Sequence, residues 1–297
     1  MKLEQLTTEK RNRATMDLDS MTALEMVTAM NREDAVVPRA IKKALPQIAE
    51  AVDVIATALE KGGRLIYVGT GTSGRIGALD ASEAQPTFGI GPEMVRFVIA
   101  GGETALANAV EASEDSVELG WKDIAKLKPG MRDVVVGIAA SGRTPYTISA
   151  LEYAAKKGAA TIAIASNVGS EIGKAAQYRI EVEVGPEVLT GSSRLKSGTA
   201  QKLICNMLTT GAMARLGYVQ SNLMVNLQLK NEKLLERGIG IARTLANVDR
   251  ETAVAAIEKA GMSLPVALVM LRAGVSKTEA QKRLRRTKGN VHKAIAG

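Results

Sequence analysis

The sequence predicts an α/β protein built on a doubly wound parallel sheet, with a helical arm before the sheet and a small helical domain after it. Through the middle of the chain, runs of valine and isoleucine alternate with helical patterns, as expected for strands buried on both faces. Both ends lack such runs and repeat apolar residues at helical spacing. We therefore divide the 297 residues into an N-terminal arm and long helix (1–60), a sheet domain (61–240) and a C-terminal helical domain (241–297).

The elements follow in order along the chain. In the arm, Asp17 or Ser20 is expected to cap a helix that ends near Met30, and a longer helix is expected from Pro38 to about Leu59. The predicted strands are 65–68, 95–100, 133–138, 161–164 and 178–184. The predicted helices begin near residue 73 and then cover 104–112, 115–127, 144–157, 170–176 and 197–216.

Composition excludes several classes of site. No apolar run approaches 18 residues, so no membrane span is expected, and the polar N-terminus lacks a signal segment. Cys205 is the only cysteine, which excludes an internal disulfide, and its apolar helical setting predicts a buried filler. His292 is the only histidine, so a histidine-based zinc site or triad is excluded. We expect no metal and no cofactor, and acid–base chemistry is left to carboxylates.

Positive charge is concentrated near the C-terminus. Between Arg272 and Lys293 there are eight lysine and arginine residues and one acidic residue, Glu279, so this segment holds a surplus of seven of the net +8. The rest of the chain is nearly neutral and does not predict a nucleic-acid-binding core. The cluster at 282–286 would suit a helix-turn-helix on DNA, but such a run is usually a solvated face. We therefore expect no nucleic-acid partner.

A glycine-rich loop, Gly69 to Gly74, follows the first strand and opens a helix. Backbone N–H groups and the hydroxyls of Thr72 and Ser73 would meet there at a helix N-terminus, whose dipole favours an anion such as phosphate. The loop also matches the dinucleotide fingerprint, although the next strand lacks the acidic residue that would hold a ribose. Arg75 and Ile76 stand where a Walker loop needs lysine and serine or threonine. A phosphate site, a dinucleotide site and a structural turn remain open from this loop alone.

A second loop repeats this design after the strand 133–138. Ser141, Gly142, Arg143 and Thr144 again join a strand to a helix through small and hydroxyl-bearing residues. Parallel strands end at the same edge of a sheet, where doubly wound folds bind ligands, so we expect both loops in one site. Ser141, Arg143 and Thr144 join Thr72 and Ser73 as candidate phosphate ligands. The pair of loops favours phosphate recognition without a nucleotide pocket.

Two further features indicate chemistry on a phosphorylated small molecule. Glu83 lies about ten residues beyond the first loop, beside Pro86, and would bring a carboxylate within reach of the phosphate. The connection 185–198 is long, polar and rich in hydroxyls, and such connections in compact domains are usually functional.

Three stretches together resemble the N-acetylmuramic acid 6-phosphate etherases of the sugar isomerase (SIS) domain superfamily. They read GTGTSGRIGALDASEAQPTFG, GIAASGRTPY and VGPEVLTGSSRLKSGTAQKL, and the similarity covers about the first 240 residues. The chain has Thr70 where the family is expected to have alanine, and EASEDS at Glu111–Ser116 where the family more often has EGAEDS. Neither change removes an ionisable group.

The resemblance implies a cytoplasmic lyase of peptidoglycan recycling that cleaves the D-lactyl ether at C3 and releases N-acetylglucosamine 6-phosphate and D-lactate. It implies that Glu114 removes the C2 proton and that Glu83 protonates the departing lactate, so one carboxylate must be ionised while the other holds a proton. Glu187 and Thr190 are its candidate sugar ligands. It further implies a homodimer and a C-terminal module similar to a ubiquitin-associated (UBA-like) domain.

Two other functions fit the phosphate loops. A sugar-phosphate-sensing regulator would use the same pocket without catalysis and would need neither Glu83 nor Glu114. An aldose–ketose isomerase would relay a proton between C1 and C2 and could also use a glutamate base. The presence of both glutamates favours the etherase.

Overall fold

The computed structural model describes residues 6–108, 110 and 113–297. The helix predicted for 104–112 ends at Ala107, because the backbone of Asn108 is extended. The first two residues of the EASEDS stretch lie outside the described residues. Internal contacts divide the chain into two compact units. The first contains Met1–Ala81 and Glu93–Thr209, and the second contains Ser82–Pro92 and Thr210–Gly297.

The first unit is built on five parallel strands, which confirms the predicted fold class. The strands are β1 (Leu65–Gly69), β2 (Val95–Ile99), β3 (Val134–Ile138), β4 (Ala160–Ala165) and β5 (Tyr178–Glu181), in the order β2-β1-β3-β4-β5. Four of them match the prediction to within one residue at either end. The fifth was expected to reach residue 184 but ends at Glu181, because β4, its only neighbour, ends at Ala165. The N–H of Val182 makes the last bond, to the Ala165 carbonyl.

Helices precede the sheet and cover both of its faces, as expected for a doubly wound fold. They are α1 (Ala23–Asp34), α2 (Val36–Lys42), α3 (Leu45–Glu60), α4 (Gly71–Phe88), α5 (Thr104–Ala107), α6 (Val117–Lys126), α7 (Pro145–Lys156), α8 (Glu171–Ala175) and α9 (Lys196–Leu216). Ser116 caps α6 and Ser170 caps α8, since each side chain accepts a hydrogen bond from a backbone N–H in the first turn of its helix.

Two details of the predicted arm are wrong. Neither Asp17 nor Ser20 caps α1, because Thr22 does so in a capping box with Glu25. The single helix expected from residue 38 to 59 is two helices, α2 and α3. Pro46 explains the break, because it has no N–H to donate to the carbonyl four residues earlier, and its ring would clash with that carbonyl.

A buried ion pair fastens the arm to the first unit. Lys196, at the start of α9, is 1% exposed, and its ammonium donates to the carboxylate of Glu33 on α1 at 2.6 Å. Asn12 donates to the same carboxylate and also to the carbonyl of Pro186. Burial raises the pKa of Glu33, but the hydrogen bonds from Lys196 and Asn12 outweigh burial and lower it overall. Since an unpaired buried charge is costly, each partner depends on the other to stay in place.

A second buried polar cluster joins β1, α4 and α9. Its centre is Asp80, which accepts hydrogen bonds from Tyr67 at 2.9 Å, Asn206 at 2.7 Å and Thr209 at 3.2 Å. Burial raises the pKa of Asp80 above its ordinary value, and these hydrogen bonds offset only part of that effect. β1 and α4, which precede and follow the first glycine-rich loop, are therefore linked to α9 by hydrogen bonds.

The second unit has a hydrophobic core of its own, formed mainly by the side chains of five helices. These are α10 (Glu232–Ala246), α11 (Arg250–Lys259), α12 (Leu264–Ala273), α13 (Lys277–Arg286) and α14 (Val291–Ala296). The sequence of the tail is typical of three or four short helices separated by Gly261, Gly274 and Gly289, and the structure has four, α11 to α14, with breaks at these glycines. Helix α10 runs across residue 241, where the predicted C-terminal domain begins. No single helix in the described ranges is long and apolar enough to cross a membrane.

The raised pKa of Asp80 predicts a pH dependence of stability. The folded state binds this proton more tightly than the unfolded chain, so the free energy of unfolding should fall as the pH rises above about 3.8. The decline should end once the pH passes the raised pKa of Asp80. Each tenfold difference in proton affinity between the folded and unfolded states corresponds to about 1.4 kcal/mol of unfolding free energy. Asp80→Asn should remove this decline while its amide still accepts from Asn206. Urea unfolding of both proteins across the acidic and neutral range measures the difference.

Asp133→Asn is the matched control, because the pKa of Asp133 is lowered in the fold. Burial raises that pKa, but the hydrogen bonds from Arg64 and from the Gly130 N–H outweigh burial. Its stabilisation is present above the ordinary pKa and is lost as the pH falls, so the control should change the slope in the opposite sense. Identical pH profiles for wild type and Asp80→Asn would show that the folded state does not retain the Asp80 proton.

Candidate active site

The topology of the sheet creates a crevice between β1 and β3. From β1 the chain moves to β2 on one side, whereas from β3 it moves to β4 and β5 on the other. The two central strands are parallel and in register at their ends, where Gly69 pairs with Ile138. Open α/β sheets bind ligands at such a switch point, outside the carboxyl ends of the strands. Both predicted loops leave the sheet here.

Glycine is required at one position in each loop. Gly71 has φ of +46°, and a Cβ there would lie 3.0 Å from Oε1 of Glu114. Gly142 has φ of +73°, and a Cβ there would lie 2.4 Å from Cβ of Ser170. The left-handed conformation is strained for other residues, and the space beside each glycine is already taken. The two loops can therefore approach their neighbours only without side chains at these points.

A cavity of about 380 Å³ opens between the two loops within the first unit. Five of the predicted site residues line it: Thr72, Ser73, Glu114, Ser141 and Thr144. The other described lining residues are Thr70, Gly71, Arg75, Val110, Ala139, Ala140 and Ser193. The cavity thus combines a set of hydroxyl donors with the N-terminus of α4 and one carboxylate among the described lining residues, which suits an anionic ligand and offers one group for proton transfer.

Arg75 is the one cation among the described lining residues, and it also organises the cavity wall. Its Nε donates to the carbonyls of Ala105 at 2.9 Å and Leu106 at 3.2 Å, and its Nη2 donates to that of Asn108 at 2.7 Å. Ala105 and Leu106 lie in α5, and Asn108 is the residue that follows it. The guanidinium therefore fixes the segment that leads toward Glu114 and places a positive charge beside the hydroxyls.

Glu114 is held by its backbone and faces the first loop. Its carbonyl accepts a hydrogen bond from the N–H of Tyr146 in the first turn of α7, at 3.1 Å. The half-buried side chain brings Oε1 against Gly71, at the start of α4. Elements after β1 and β3 thus fix this carboxylate at the mouth of the crevice.

Four other predicted residues do not line this cavity. Arg143 has Nε 3.6 Å from a carboxylate oxygen of Glu171 on α8. Glu187 is fully buried and accepts hydrogen bonds from the N–H groups of Lys196 and Ser197, so it caps α9. Thr190 is exposed on the connection that precedes α9, and Glu83 is exposed on α4 within the second unit.

Asn167, which no sequence motif indicated, lies behind the second loop and is hydrogen-bonded to it. Its amide nitrogen donates to the carbonyls of Ala140 at 3.2 Å and Ser141 at 3.3 Å, and its oxygen accepts from the N–H of Thr7 at 2.8 Å. Asn167 is 2% exposed, so the arm and the second loop share one buried side chain. Its position two residues after β4, at the ligand edge of the sheet, was the available signal.

No group of three or more histidine, cysteine, aspartate or glutamate side chains that could hold a metal ion occurs within the described ranges.

The chain is similar over its whole length to curated bacterial enzymes. It is 52% identical to N-acetylmuramic acid 6-phosphate etherase 2 of Lactiplantibacillus plantarum, across 99% of this chain and 100% of that protein. It is also 52% identical to N-acetylmuramic acid 6-phosphate etherase of Oenococcus oeni, across 99% of each chain. The model of the glucokinase regulatory protein N-terminal SIS domain matches residues 47–155, and that of the SIS domain matches 124–211.

A solved structure confirms the architecture. The chain shares the fold of phosphoheptose isomerase from Neisseria gonorrhoeae with a TM-score of 0.50 and 20% identity, over 65% of this chain and 100% of that one. At this level of identity the likeness concerns the fold alone.

The contacts of Asn167 predict the effect of removing its amide. Asn167→Ala removes the amide donor to the carbonyls of Ala140 and Ser141 and the acceptor of the Thr7 N–H, so we expect the free energy of unfolding to fall by about 1–3 kcal/mol. The backbone amides of Gly142 and Ser166, which donate to the carbonyls of Ala139 and Ala140, should exchange faster with deuterium. Asn231→Ala, which removes the cap of α10 in the second unit, is the control and should cost about 1 kcal/mol without changing exchange at Gly142. Unchanged exchange in Asn167→Ala would show that the arm and loop are held by other contacts.

Proposed function

The chain belongs to the N-acetylmuramic acid 6-phosphate etherase family, and from that premise we propose how its residues divide the reaction. It is a carbon–oxygen lyase that acts on an amino-sugar phosphate. The whole-length identity to etherases supports this activity, and the observation that carries the mechanism is a carboxylate, Glu114, inside a hydroxyl-lined cavity at the switch point. We place the reaction in the cytoplasm, within peptidoglycan recycling.

The reaction begins with the open-chain aldehyde of N-acetylmuramic acid 6-phosphate. The aldehyde makes the C2 proton acidic, and Glu114 removes that proton as general base. The electron pair left on C2 forms a C2–C3 double bond as the C3–O bond breaks, and Glu83 gives its proton to the departing D-lactate. Water then adds to C3, returning a proton to Glu83, while Glu114 returns its proton to C2. The products are N-acetylglucosamine 6-phosphate and D-lactate, and both glutamates are restored.

The phosphate is held by the two loops in this proposal. Thr72, Ser73, Ser141 and Thr144 supply hydroxyl donors around the cavity, and the N-terminus of α4 adds its dipole. Arg143 is the fifth proposed ligand and would give up its contact with Glu171. The guanidinium of Arg75 contributes positive charge at a fixed place in the wall.

We propose that residues 185–195, the connection before α9, bind the sugar. Ser193 from this connection lines the cavity, while the carboxylate of Glu187 fixes the end of the connection to the first N–H groups of α9. We propose that Glu187 supports sugar binding by holding this segment and that the exposed hydroxyl of Thr190 contacts the sugar.

The exposed apolar side chains of the arm support the proposal that the active protein is a homodimer. Helix α1 has no buried residue along its length, and two of its apolar side chains are largely exposed, Leu24 at 75% and Val27 at 56%. The helix is nevertheless fixed to the first unit through Glu33, so its apolar face is held outward. A second copy of the chain, with the active site near the subunit interface, would cover that face.

The proposed dimer predicts the effect of a charge on α1. Wild type should sediment as a dimer at micromolar concentration, and Leu24→Lys should sediment as a monomer because burying an unpaired ammonium is costly. Met131→Lys is the control, since Met131 is 87% exposed in the turn before β3 and should leave the dimer intact. A wild-type monomer with full activity would contradict the proposal.

The unequal tasks of the two glutamates give the test of the mechanism. Proton removal at C2 needs Glu114 and the aldehyde, whereas loss of lactate also needs Glu83. Glu83→Gln should release little lactate yet still exchange the C2 proton with solvent deuterium. Glu114→Gln should lose both activities, because no carbanion forms without the base. Each loss should amount to about 10²–10⁴ in rate.

The measurement is deuterium at C2 of recovered substrate by mass spectrometry, together with an assay of free D-lactate. Exchange in Glu114→Gln but not in Glu83→Gln would reverse the two roles. Normal lactate release by both variants would place the chemistry elsewhere. A wild-type protein that exchanges C2 but releases no lactate would be an isomerase rather than an etherase.

A further inference from the structure

A buried hydrogen bond behind the cavity connects the first loop to α9. The hydroxyl of Ser73 donates to Oε1 of Gln201 at 3.0 Å, and the two residues are 9% and 1% exposed. The start of α9 packs directly on this loop, since a Cβ at Gly198 would lie 3.6 Å from Cγ2 of Thr72. Gln201 therefore contacts a cavity hydroxyl without lining the cavity itself.

The other end of the Gln201 amide has no hydrogen-bond partner. Nε2 is buried and makes no hydrogen bond among the described residues, as is also true of the Ser197 hydroxyl one turn earlier on α9. An unsatisfied buried donor costs about 1–3 kcal/mol, so a fold that keeps one calls for an explanation. Of the two polar atoms of the amide, only Oε1 has a hydrogen-bond partner among the described residues, the hydroxyl of Ser73.

The direction of the Ser73 hydroxyl proton matters for phosphate. A serine hydroxyl has one proton to donate, and a phosphate dianion offers only acceptors. While that proton points to Oε1 of Gln201, it cannot also stabilise the phosphate. A half-turn of the amide would exchange its two ends, so that Nε2 donates to Oγ of Ser73 and the Ser73 proton becomes free for the phosphate.

We propose that Gln201 is a positioning residue for phosphate binding, whose amide accepts from Ser73 as observed here and donates to Ser73 when phosphate is bound. The missing partner of Nε2 suits such a reversal, because no other hydrogen bond of the amide is broken when its ends exchange. The proposal rests on the proposed function, in which Ser73 is a phosphate ligand. Gln201 acts only through Ser73.

The test compares two substitutions of similar size, using N-acetylglucosamine 6-phosphate as probe and calorimetry as readout. Gln201→Glu offers Ser73 a carboxyl group that only accepts in its ionised form and then holds the Ser73 proton away from the phosphate, so the titration is run at a pH well above the ordinary pKa of glutamate. The dissociation constant should rise about 10- to 100-fold, the cost of one hydrogen bond to a charged group. Gln201→Met offers no acceptor, leaves the proton free and should change the dissociation constant by about threefold or less. Equal affinities for wild type and the Glu variant would overturn the proposal.

A double-mutant cycle separates the hydroxyl from the added charge. In a Ser73→Ala background the hydroxyl proton is absent. The rise in dissociation constant caused by Gln201→Glu should therefore be about tenfold smaller there, the fold-change expected of one hydrogen bond. An undiminished penalty would show that the charge alone is responsible and would overturn the proposal. If Ser73→Ala by itself leaves the affinity unchanged, the assignment of Ser73 to the phosphate fails instead.

A spectroscopic signature is independent of the variants' stability. The side-chain NH₂ resonances of Gln201, assigned by their loss in Gln201→Met, should shift in wild type on titration with N-acetylglucosamine 6-phosphate. They should not shift by the same amount in Ser73→Ala saturated with the same sugar. Resonances that stay in place in saturated wild type would show that the amide does not reverse.

Discussion

The hydrogen-bonded pairing of β1 with β3 is the constraint on which the cavity depends. These strands are far apart in sequence, yet their register brings Gly69 beside Ile138, and each strand is followed by a loop rich in hydroxyls. Because both loops open helices, their backbone N–H groups converge on one crevice. A slip of one residue in this register would reverse the faces of β3 and separate the loops. The binding chemistry is therefore a consequence of strand order.

The loops are held in place by polar side chains behind them. Asn167 links the second loop to the arm, Arg75 links α4 to the carbonyls of α5, and Glu187 caps the N-terminus of α9. Buried polar groups of this kind are costly unless every partner is present, so they fix one arrangement rather than several. That rigidity keeps the cavity hydroxyls at defined positions before a ligand arrives. The unpartnered Nε2 of Gln201 is an exception to this pattern, and it lies directly behind Ser73.

Much of this could be predicted from local patterns. Valine and isoleucine runs located the strands, and the loop residues Ser73, Ser141 and Thr144 were found because small and hydroxyl residues after a parallel strand have a defined place in the fold. The contacts of Asn167 and Gln201 could not be predicted, since each joins segments more than 100 residues apart. Pro46 could have indicated the break between α2 and α3. The break was missed because the helical spacing of apolar residues continues through it.

The elements that carry the two hydroxyl-rich loops also hold Glu114, and this fixes the distance between the proposed phosphate ligands and the proposed base. Helix α4 provides Thr72, Ser73 and Arg75, while α7 begins at the second loop and supplies the Tyr146 N–H that binds the Glu114 carbonyl. A sugar anchored at its 6-phosphate would thus present carbons at a fixed distance from the carboxylate. Correct positioning of a reacting group can lower an activation barrier by several kcal/mol. The free energy of binding the phosphate would therefore lower the barrier to proton removal at C2, although the phosphate itself does not touch C2. A sugar without the phosphate should lose rate as well as affinity.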